Sequence, residues 1–152
     1  MERDYYDSPV GILEIVCKNN ELIALRPVSV ITSLKSENSY TKFVKSQLAE
    51  YFSGKRKVFD IILNPQGTGF QKAAWRELLK IPYGSTKSYS EIAENMGNKN
   101  AQRAIGSACN KNPIMIIIPC HRVISKNGTS GGFAHGKSIK QTLLSMEKVI
   151  VR

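Results

Sequence analysis

Long apolar runs are missing from this sequence of 152 residues. The longest unbroken run covers five residues, Ile114 to Ile118, whereas a membrane-spanning helix needs about 18 or more. The first four residues, Met1 to Asp4, include two acids and no apolar segment, which argues against a secretory signal. We therefore expect no membrane contact, and a hydrophobic content of 41% is enough to form a core.

Cysteine is scarce as well, and the three present are Cys17, Cys109 and Cys120. An odd number of unclustered cysteines argues against a disulfide framework and favours a reducing compartment, so we predict a cytoplasmic protein. The sequence has no CxxC pair and no cluster of cysteine and histidine, and we therefore predict no metal site.

Acidic residues are almost absent from the C-terminal part. From Asn95 onward the sequence has nine basic residues and a single carboxylate side chain, that of Glu147, for a formal charge of +8 out of the total of +10. Such asymmetry is typical of a face that binds a polyanion. Charge alone leaves open the alternative of a generally basic soluble protein.

The first 63 residues have the pattern of a small antiparallel sheet with a flanking helix. Two strands, Gly11–Cys17 and Glu21–Arg26, are separated by Asn19-Asn20, a pair that tolerates the positive φ of a hairpin turn. Apolar residues follow at helical spacing over Thr41–Phe52, and Val58–Leu63 is a short run typical of a strand. We predict an N-terminal subdomain over residues 1–63.

A loop rich in proline and glycine, residues 64–69, is predicted to link this subdomain to a mostly helical one over residues 70–152. Ser88 followed three residues later by Glu91 predicts a capped helix start, and Gly97 separates that helix from the next. The pair is a helix-turn-helix candidate. The predicted helices cover Phe70–Lys80, the segment from Ser88 to Met96, Asn100–Cys109 and Ile139–Val149. The fold class is therefore α/β of the α+β kind.

One face of the second helix of this pair is made of small residues. Ala101, Ala104, Ser107 and Ala108 share this face, because they are spaced three and four residues apart. Such a face allows close approach to another surface, either a ligand or a neighbouring helix of the same protein. Arg103 lies beside it, and an isolated arginine on a helix is usually solvated.

The residue pair Cys120-His121 follows Ile114–Ile118, which we predict to be a buried strand. A thiol becomes a strong nucleophile when a base takes its proton, and a carboxylate commonly orients that base. His121 with Glu147 behind it fits this scheme. Neighbouring side chains on a strand point to opposite faces, so we expect a bridging water between thiol and imidazole. A structural thiol beside a surface histidine is the alternative, and His135 is a rival base.

These residues resemble a known family over nearly the whole chain, the O6-alkylguanine-DNA alkyltransferases, also called methylated-DNA–protein-cysteine methyltransferases. The active-site signature of the family, Pro-Cys-His-Arg-Val, is present as Pro119–Val123. Further matching segments are Gly67–Gln71 with Trp75, Ile81–Gly84, Ser88-Tyr89, Ile92-Ala93, Arg103–Gly106, Asn110–Pro113, Ser130–Gly132 and Leu143-Leu144 with Glu147. Ser8-Pro9 and Gly11–Leu13 match more weakly.

The resemblance implies a catalytic role for three of these residues. Cys120 would accept the alkyl group, His121 would act through a water as its base, and Glu147 would orient His121. Asn112 would be the hinge that holds the turn and the active-site loop together.

The resemblance also implies contacts with the substrate. Tyr89 would donate to guanine N3 and help to rotate the nucleotide outward. The backbone carbonyls of Cys120 and Val123 would accept from the guanine amine, and the backbone N–H of Ser130 would bond to O6. Arg103 would fill the space left in the base stack. The small face would enter the minor groove, and we place Arg122, from the basic half, with the DNA-binding residues.

The family implies a direct-reversal repair protein that acts once on double-stranded DNA carrying O6-alkylguanine, with O4-alkylthymine as a second candidate lesion. It implies no cofactor, and we expect a monomer. Some relatives bind zinc in the N-terminal subdomain, but here that region has only Cys17 and no histidine, so we predict no structural zinc.

Three alternatives remain. An alkyltransferase-like protein would bind the lesion without repairing it, but such proteins lack the acceptor cysteine that Cys120 supplies. A Cys-His hydrolase or transferase acting on small molecules would leave Arg103 and the basic half unexplained. A helix-turn-helix regulator reading the major groove would leave Pro119–Val123 unexplained.

Overall fold

The computed structural model describes residues 1–31, 35–125 and 136–149, and the chain divides into two units. The units are Met1–Gln66 and Gly67–Arg152, so the division falls inside the loop of residues 64–69. In the described part of the chain, no helix has the length and apolar character that a membrane crossing requires.

The N-terminal unit is a three-stranded antiparallel sheet with one helix, α1 (Ser39–Phe52), packed against it. The strands β1 (Glu2–Ser8), β2 (Gly11–Lys18) and β3 (Glu21–Pro27) are adjacent in chain order. The hairpin turn is where the sequence predicts it, with Asn19 at φ 52° and Asn20 at φ 58°. The sheet and helix bury an apolar core that includes Leu13, Ile15, Leu22, Leu25, Val44 and Leu48.

Strand β1 has no apolar alternation and is not evident from the sequence. Every residue from Glu2 to Ser8 pairs with β2, and the ring of Tyr6 stacks on Phe52 of α1, so backbone pairing together with this ring contact holds the strand. Its fully buried residue, Asp4, is neutralised by Lys45 at 3.0 Å and Lys35 at 3.5 Å.

The strand predicted over Val58–Leu63 is reduced to one parallel bridge between Leu22 and Leu63. Two backbone hydrogen bonds of 2.8 Å make this bridge, from Leu22 N to Ile62 O and from Asn64 N to Leu22 O. The rest of the run is irregular, and Val58 and Ile62 are exposed. Because their side chains are outside the core, little apolar burial is available to extend the pairing.

The C-terminal unit is mostly helical, as the sequence predicts. Its helices are α2 (Gly69–Leu78), α3 (Tyr89–Asn95), α4 (Gln102–Asn110) and α5 (Lys137–Met146). Ser88 caps α3 in the predicted capping box, accepting from Glu91 N while Glu91 accepts from Ser88 N. Helices α3 and α4 pack together as the helix-turn-helix pair, and Trp75 of α2 donates its indole N–H to Ala108 O at 2.9 Å.

The prediction of a strand over Ile114–Ile118 is wrong. These residues form a buried turn in which Ile116 has a φ of 74° and Ile118 N donates to Ile114 O at 3.1 Å. Asn112 organises the turn, because its side-chain oxygen accepts from Ile114 N at 3.0 Å. A three-residue 3-10 helix, Cys120–Arg122, follows, and β5 (Val123–Ile124) then pairs in parallel with β4 (Lys87–Ser88).

Candidate active site

Cys120 begins the 3-10 helix, and its side chain is almost completely buried. The side-chain amide of Asn112 donates to the Cys120 Sγ at 3.1 Å and to Ile118 O at 2.8 Å. With its oxygen bonded to Ile114 N, this one amide joins the turn after α4 to the thiol. The geometry supports the hinge position that the resemblance implies for Asn112.

Burial and hydrogen bonding act on the thiol in opposite directions. Burial raises the pKa of Cys120 to about 11, although the Asn112 amide, the charge of Lys140 and the backbone N–H groups of Cys120 and His121 all lower it. Removal from water penalises the thiolate, whereas donors and cations favour it. Ionisation of this thiol at neutral pH therefore needs a base.

His121 follows Cys120 and is fully buried. Its Nε2 lies 2.7 Å from Glu147 Oε2, whereas its Nδ1 has no hydrogen-bond partner among the described residues. An ionised Glu147 holds the ring proton on Nε2, which leaves the lone pair of Nδ1 as the basic position. Because Cys120 and His121 belong to a 3-10 helix, the argument from opposite faces of a strand does not apply. The bridging water stays a prediction.

Arg122 was grouped with the DNA-binding residues, and the structure corrects this assignment. The Arg122 side chain is buried, with Nε 2.8 Å from Glu147 Oε1 and Nη2 3.1 Å from Glu147 Oε2. Its Nη1 donates to Ile81 O at 2.8 Å. A guanidinium engaged in this way cannot reach a phosphate, and instead it neutralises and orients the carboxylate that holds His121.

The small face of α4 is only half available for DNA. Arg103, Ala104 and Ser107 are exposed, but Ala101 and Ala108 are buried. The buried pair provides the close internal packing that was the alternative interpretation of this face. The assignment of Ala101 and Ala108 as DNA contacts is therefore corrected, because their side chains face the protein interior.

Tyr89 is the first residue of α3 and is partly buried beside the exposed arginine. Tyr89, Arg103 and Gly106 line an open depression of about 360 Å³ on the helix-turn-helix, together with Ser90, Gln102 and Ser125. Burial, helped by the charges of Cys109 and Cys120, raises the pKa of Tyr89 to about 12. Tyr89 therefore keeps its proton at neutral pH and can donate a hydrogen bond.

The other predicted substrate contacts have different outcomes. The Val123 carbonyl accepts from Lys140 Nζ at 2.6 Å, so one lone pair is already engaged. Ser130 and His135 lie outside the described residues.

Within residues 1–31, 35–125 and 136–149, no three side chains of histidine, cysteine, aspartate or glutamate are grouped to hold a metal ion.

Sequence reasoning did not single out Lys140, a fully buried lysine. A signal was available, because Lys140 is spaced three and four residues from Leu143 and Leu144, the buried residues of α5. A lysine on the apolar face of a predicted helix is unusual enough to be examined as a functional residue.

Comparison with known proteins covers both units. Residues 1–65 match the family described as "6-O-methylguanine DNA methyltransferase, ribonuclease-like domain", and residues 69–149 match "6-O-methylguanine DNA methyltransferase, DNA binding domain". The methylated-DNA–protein-cysteine methyltransferase of Methanosarcina acetivorans is 42% identical over 148 residues, 93% of this chain and 95% of that protein. Its namesake from Mycolicibacterium paratuberculosis is 43% identical over 148 residues, 93% and 89% of the two chains.

A solved structure agrees with these matches. The crystal structure of Mycobacterium tuberculosis OGT in complex with DNA has a TM-score of 0.89 and 40% identity, and the match covers 97% of this chain and 93% of that chain. The fold and the site define a helix-turn-helix protein with a buried cysteine beside a histidine–glutamate pair. The chain belongs to the O6-methylguanine DNA methyltransferase family. Both the resemblance and the α/β fold class are confirmed.

Replacing Arg122 with methionine should lower the free energy of unfolding by about 3–5 kcal/mol, because it leaves Glu147 buried without this partner. The control is Arg103→Met, an exposed residue of α4, for which we expect a change within about 0.5 kcal/mol. Urea unfolding followed by tryptophan fluorescence measures both. Equal small effects would mean that the Arg122 pair contributes little to stability.

The second prediction concerns the protonation of His121. Burial lowers the pKa of His121, and Arg122 and Lys140 add to this, while Glu147 opposes it. The stabilising contribution is therefore complete above about pH 6.5, the pKa in the unfolded chain, and is lost as the pH falls toward the lower folded-state pKa. NMR titration of the imidazole should show a neutral His121 at pH 7, with His121→Gln and His135→Gln assigning the two rings. A His121 pKa above 7 would contradict this.

Proposed function

We propose that this protein repairs DNA directly, by transferring the alkyl group of O6-alkylguanine in duplex DNA to its own Cys120. The observation that carries the proposal is the buried thiol of Cys120 joined by Asn112 to the turn after α4 and followed by the His121–Glu147 pair. Membership of a family whose relatives are named methylated-DNA–protein-cysteine methyltransferases supports the same activity.

The first chemical step in this proposal is deprotonation of the thiol. His121 Nδ1 takes the Cys120 proton through a bridging water, and Glu147 stabilises the imidazolium that results. The thiolate then receives the Asn112 amide N–H at a distance suited to an S···H–N bond. The raised pKa of the thiol means that the base and these donors are all needed.

The second step is an in-line displacement at the alkyl carbon. The Cys120 Sγ forms a bond to carbon as the carbon–O6 bond breaks, and the departing guanine takes up one proton, which balances the proton that His121 removed from the thiol. Tyr89 assists as a hydrogen-bond donor, since its hydroxyl keeps its proton at neutral pH. The product is a thioether, which has no good leaving group, so each molecule repairs one lesion. No cofactor is required, because the damaged DNA donates the alkyl group.

Access to the base requires flipping, because O6 is stacked inside the duplex. In the proposal α4 enters the minor groove, with Ala104 and Ser107 allowing close approach. Arg103 occupies the vacated stack, which offsets part of the cost of flipping. The carbonyl of Val123 and the backbone N–H of Ser130 hold the flipped guanine. Lysines of the basic half contact phosphates, which provides affinity without sequence preference.

The proposal also covers the cellular compartment, the partner and the oligomeric state of the protein. Because the reaction consumes a reduced thiol, we place the protein in the cytoplasm, where cysteines stay reduced. Its partner is double-stranded DNA carrying the lesion, and a monomer is sufficient because one unit contains the helix-turn-helix and the cysteine centre.

Transfer of a labelled methyl group tests the proposal. Incubation with a duplex containing radiolabelled O6-methylguanine should move the label to protein up to one equivalent and no further. Cys120→Ala should abolish transfer, because the acceptor is lost. Cys109→Ala, the loss of another buried cysteine of the same unit, should still transfer one equivalent.

Two results would sink the proposal. Turnover beyond one equivalent would indicate a true catalyst, and tight binding of the lesion without label transfer would favour the non-repairing, alkyltransferase-like function.

The role of Arg103 is tested by comparing two substrates. Arg103→Ala should slow repair of the duplex by about 10-fold or more, since flipping costs a few kcal/mol and the flipped state loses the side chain that offsets part of that cost. Reaction with free O6-benzylguanine base should change little, because no flipping is involved. Equal losses on both substrates would show that Arg103 acts on the structure of the site instead. Gln102→Ala, at the neighbouring exposed position, is the matched control.

A further inference from the structure

Tyr83 lies in the connection between α2 and β4, and its side chain is partly buried. Its hydroxyl donates to the carbonyl of Met146, the last residue of α5, at 3.3 Å. The last carbonyls of a helix have no partner within the helix, so this bond joins the connection to the end of α5. Burial and the charge of Glu147 raise the pKa of Tyr83, against the lowering by Arg122, and the hydroxyl therefore keeps the proton that it donates. The mechanism above does not use this residue.

The ring of Tyr83 lies against the guanidinium of Arg122, with 5.8 Å between Arg122 Cζ and the ring centroid. A cation within about 6 Å of an aromatic centroid is attracted to the face of the ring. The N–H groups of Arg122 are bonded to three oxygens, the two of the Glu147 carboxylate and the carbonyl of Ile81. The ring therefore adds a second kind of attraction that holds Arg122 beside Glu147.

The residue after Tyr83 approaches Glu147 as well. The backbone N–H of Gly84 donates to Glu147 Oε1 at 3.5 Å. A Cβ on Gly84 would lie 3.6 Å from the Glu147 carbonyl oxygen, and the φ of 81° at this position favours glycine. The segment Ile81–Gly84 thus contacts both members of the Arg122–Glu147 pair, with backbone groups at its two ends and the Tyr83 ring between them.

The charged groups that act on His121 come from the 3-10 helix and from α5 with the residue that follows it. Burial is the largest influence and lowers the pKa of His121, whereas the hydrogen bond and charge of Glu147 raise it. The charges of Arg122 and Lys140 lower it further. Helix α2 also packs against the 3-10 helix, and its buried residues are uncharged, namely Ala74, Trp75 and Leu78.

The position of Arg122 therefore affects the protonation of His121 in two ways. A guanidinium that moved away from Glu147 would leave the carboxylate to attract the imidazole proton more strongly. Its own repulsion of the imidazolium would weaken at the same time. Both changes favour the charged imidazole, so the pKa of His121 would rise.

We propose that Tyr83 is a positioning residue for alkyl transfer, whose ring holds Arg122 beside Glu147. The pair so held keeps His121 neutral and oriented to accept the thiol proton. The inference rests on the proposed function, in which His121 is the base for Cys120. Tyr83 acts through other residues and takes no proton, so the proton and alkyl transfers stay as described above.

NMR titration of His121 in the full-length protein without DNA tests the inference. In Tyr83→Leu the pKa of His121 should rise by about half a unit or more, roughly threefold in proton affinity, as expected for the loss of a partly buried cation–π contact. In Tyr83→Phe, which retains the ring and loses the hydroxyl, the pKa should stay at the wild-type value. Tyr40→Leu is the matched control and should leave the pKa unchanged. Tyr40 is also a partly buried tyrosine bonded to the backbone, since its hydroxyl accepts from Ile62 N at 2.9 Å.

The pH dependence of label transfer from DNA gives a second measurement. Protonation of His121 should slow transfer at low pH, because the base is then occupied. In Tyr83→Leu this acidic limb should move to higher pH by the same shift as the pKa, and the rates of variant and wild type should converge at alkaline pH. A lower rate at every pH with no shift of the limb would indicate a merely structural role and would overturn the inference.

An unchanged pKa of His121 in folded Tyr83→Leu, judged by circular dichroism, would also overturn it, as would an equal rise in Tyr83→Phe. A fluorinated phenylalanine in place of Tyr83 covers the case in which the leucine variant does not fold, because fluorine weakens the negative face of the ring and nearly retains its shape. Compared with Tyr83→Phe it should raise the pKa of His121, and no difference would count against the inference in the same way.

The two levels of the argument are separated by the wild-type protein. Normal label transfer by the wild type, together with an unchanged pKa of His121 in the variants, would refute the role of Tyr83 alone. Failed transfer by the wild type would refute the proposed function, and with it the part of Tyr83 in alkyl transfer.

Discussion

The negative charge of Glu147 is the constraint around which the surroundings of Cys120 in the C-terminal unit are organised. A buried carboxylate must be neutralised and hydrogen-bonded. Arg122 and His121 do this from one short 3-10 helix, with contacts of 2.8 and 2.7 Å. The same guanidinium reaches Ile81 O, so the end of α5, the 3-10 helix and the segment after α2 are tied together. The ring of His121 is thereby held in one orientation next to Cys120.

Cys120 has two requirements that conflict. Burial shields the thiol from water and raises its pKa to about 11, yet the proposed alkyl transfer requires the thiolate. Asn112 and backbone N–H groups compensate part of the cost from inside the turn. In the proposed mechanism His121 is the base, and burial lowers its pKa, so the imidazole is neutral at pH 7 and able to accept the proton. Strong burial and local polar compensation thus coexist in one turn of the chain.

Local sequence was sufficient for several elements. Asn19-Asn20 predicted the hairpin, and Ser88 with Glu91 predicted the start of α3, because turn and cap preferences depend on neighbours a few residues apart. Prediction failed at two other elements. Strand β1 is polar and depends on β2, and the apolar run at Ile114–Ile118 is a turn because the Asn112 side chain bonds to Ile114 N. An apolar run alone cannot distinguish a buried strand from a buried turn.

The features of the site also divide into those that the sequence predicts and those that depend on tertiary contacts. The sequence by itself determined the chemistry: a cysteine followed by a histidine, a single carboxylate in the basic half, and a helix-turn-helix beside them. Only the tertiary structure decided how these charges are paired. It buried Arg122 against Glu147 and turned Ala101 and Ala108 inward. It also placed the ammonium of Lys140 on the Val123 carbonyl. Residue type fixes which reactions a side chain can perform, but burial and charge pairing depend on contacts between residues far apart in the chain.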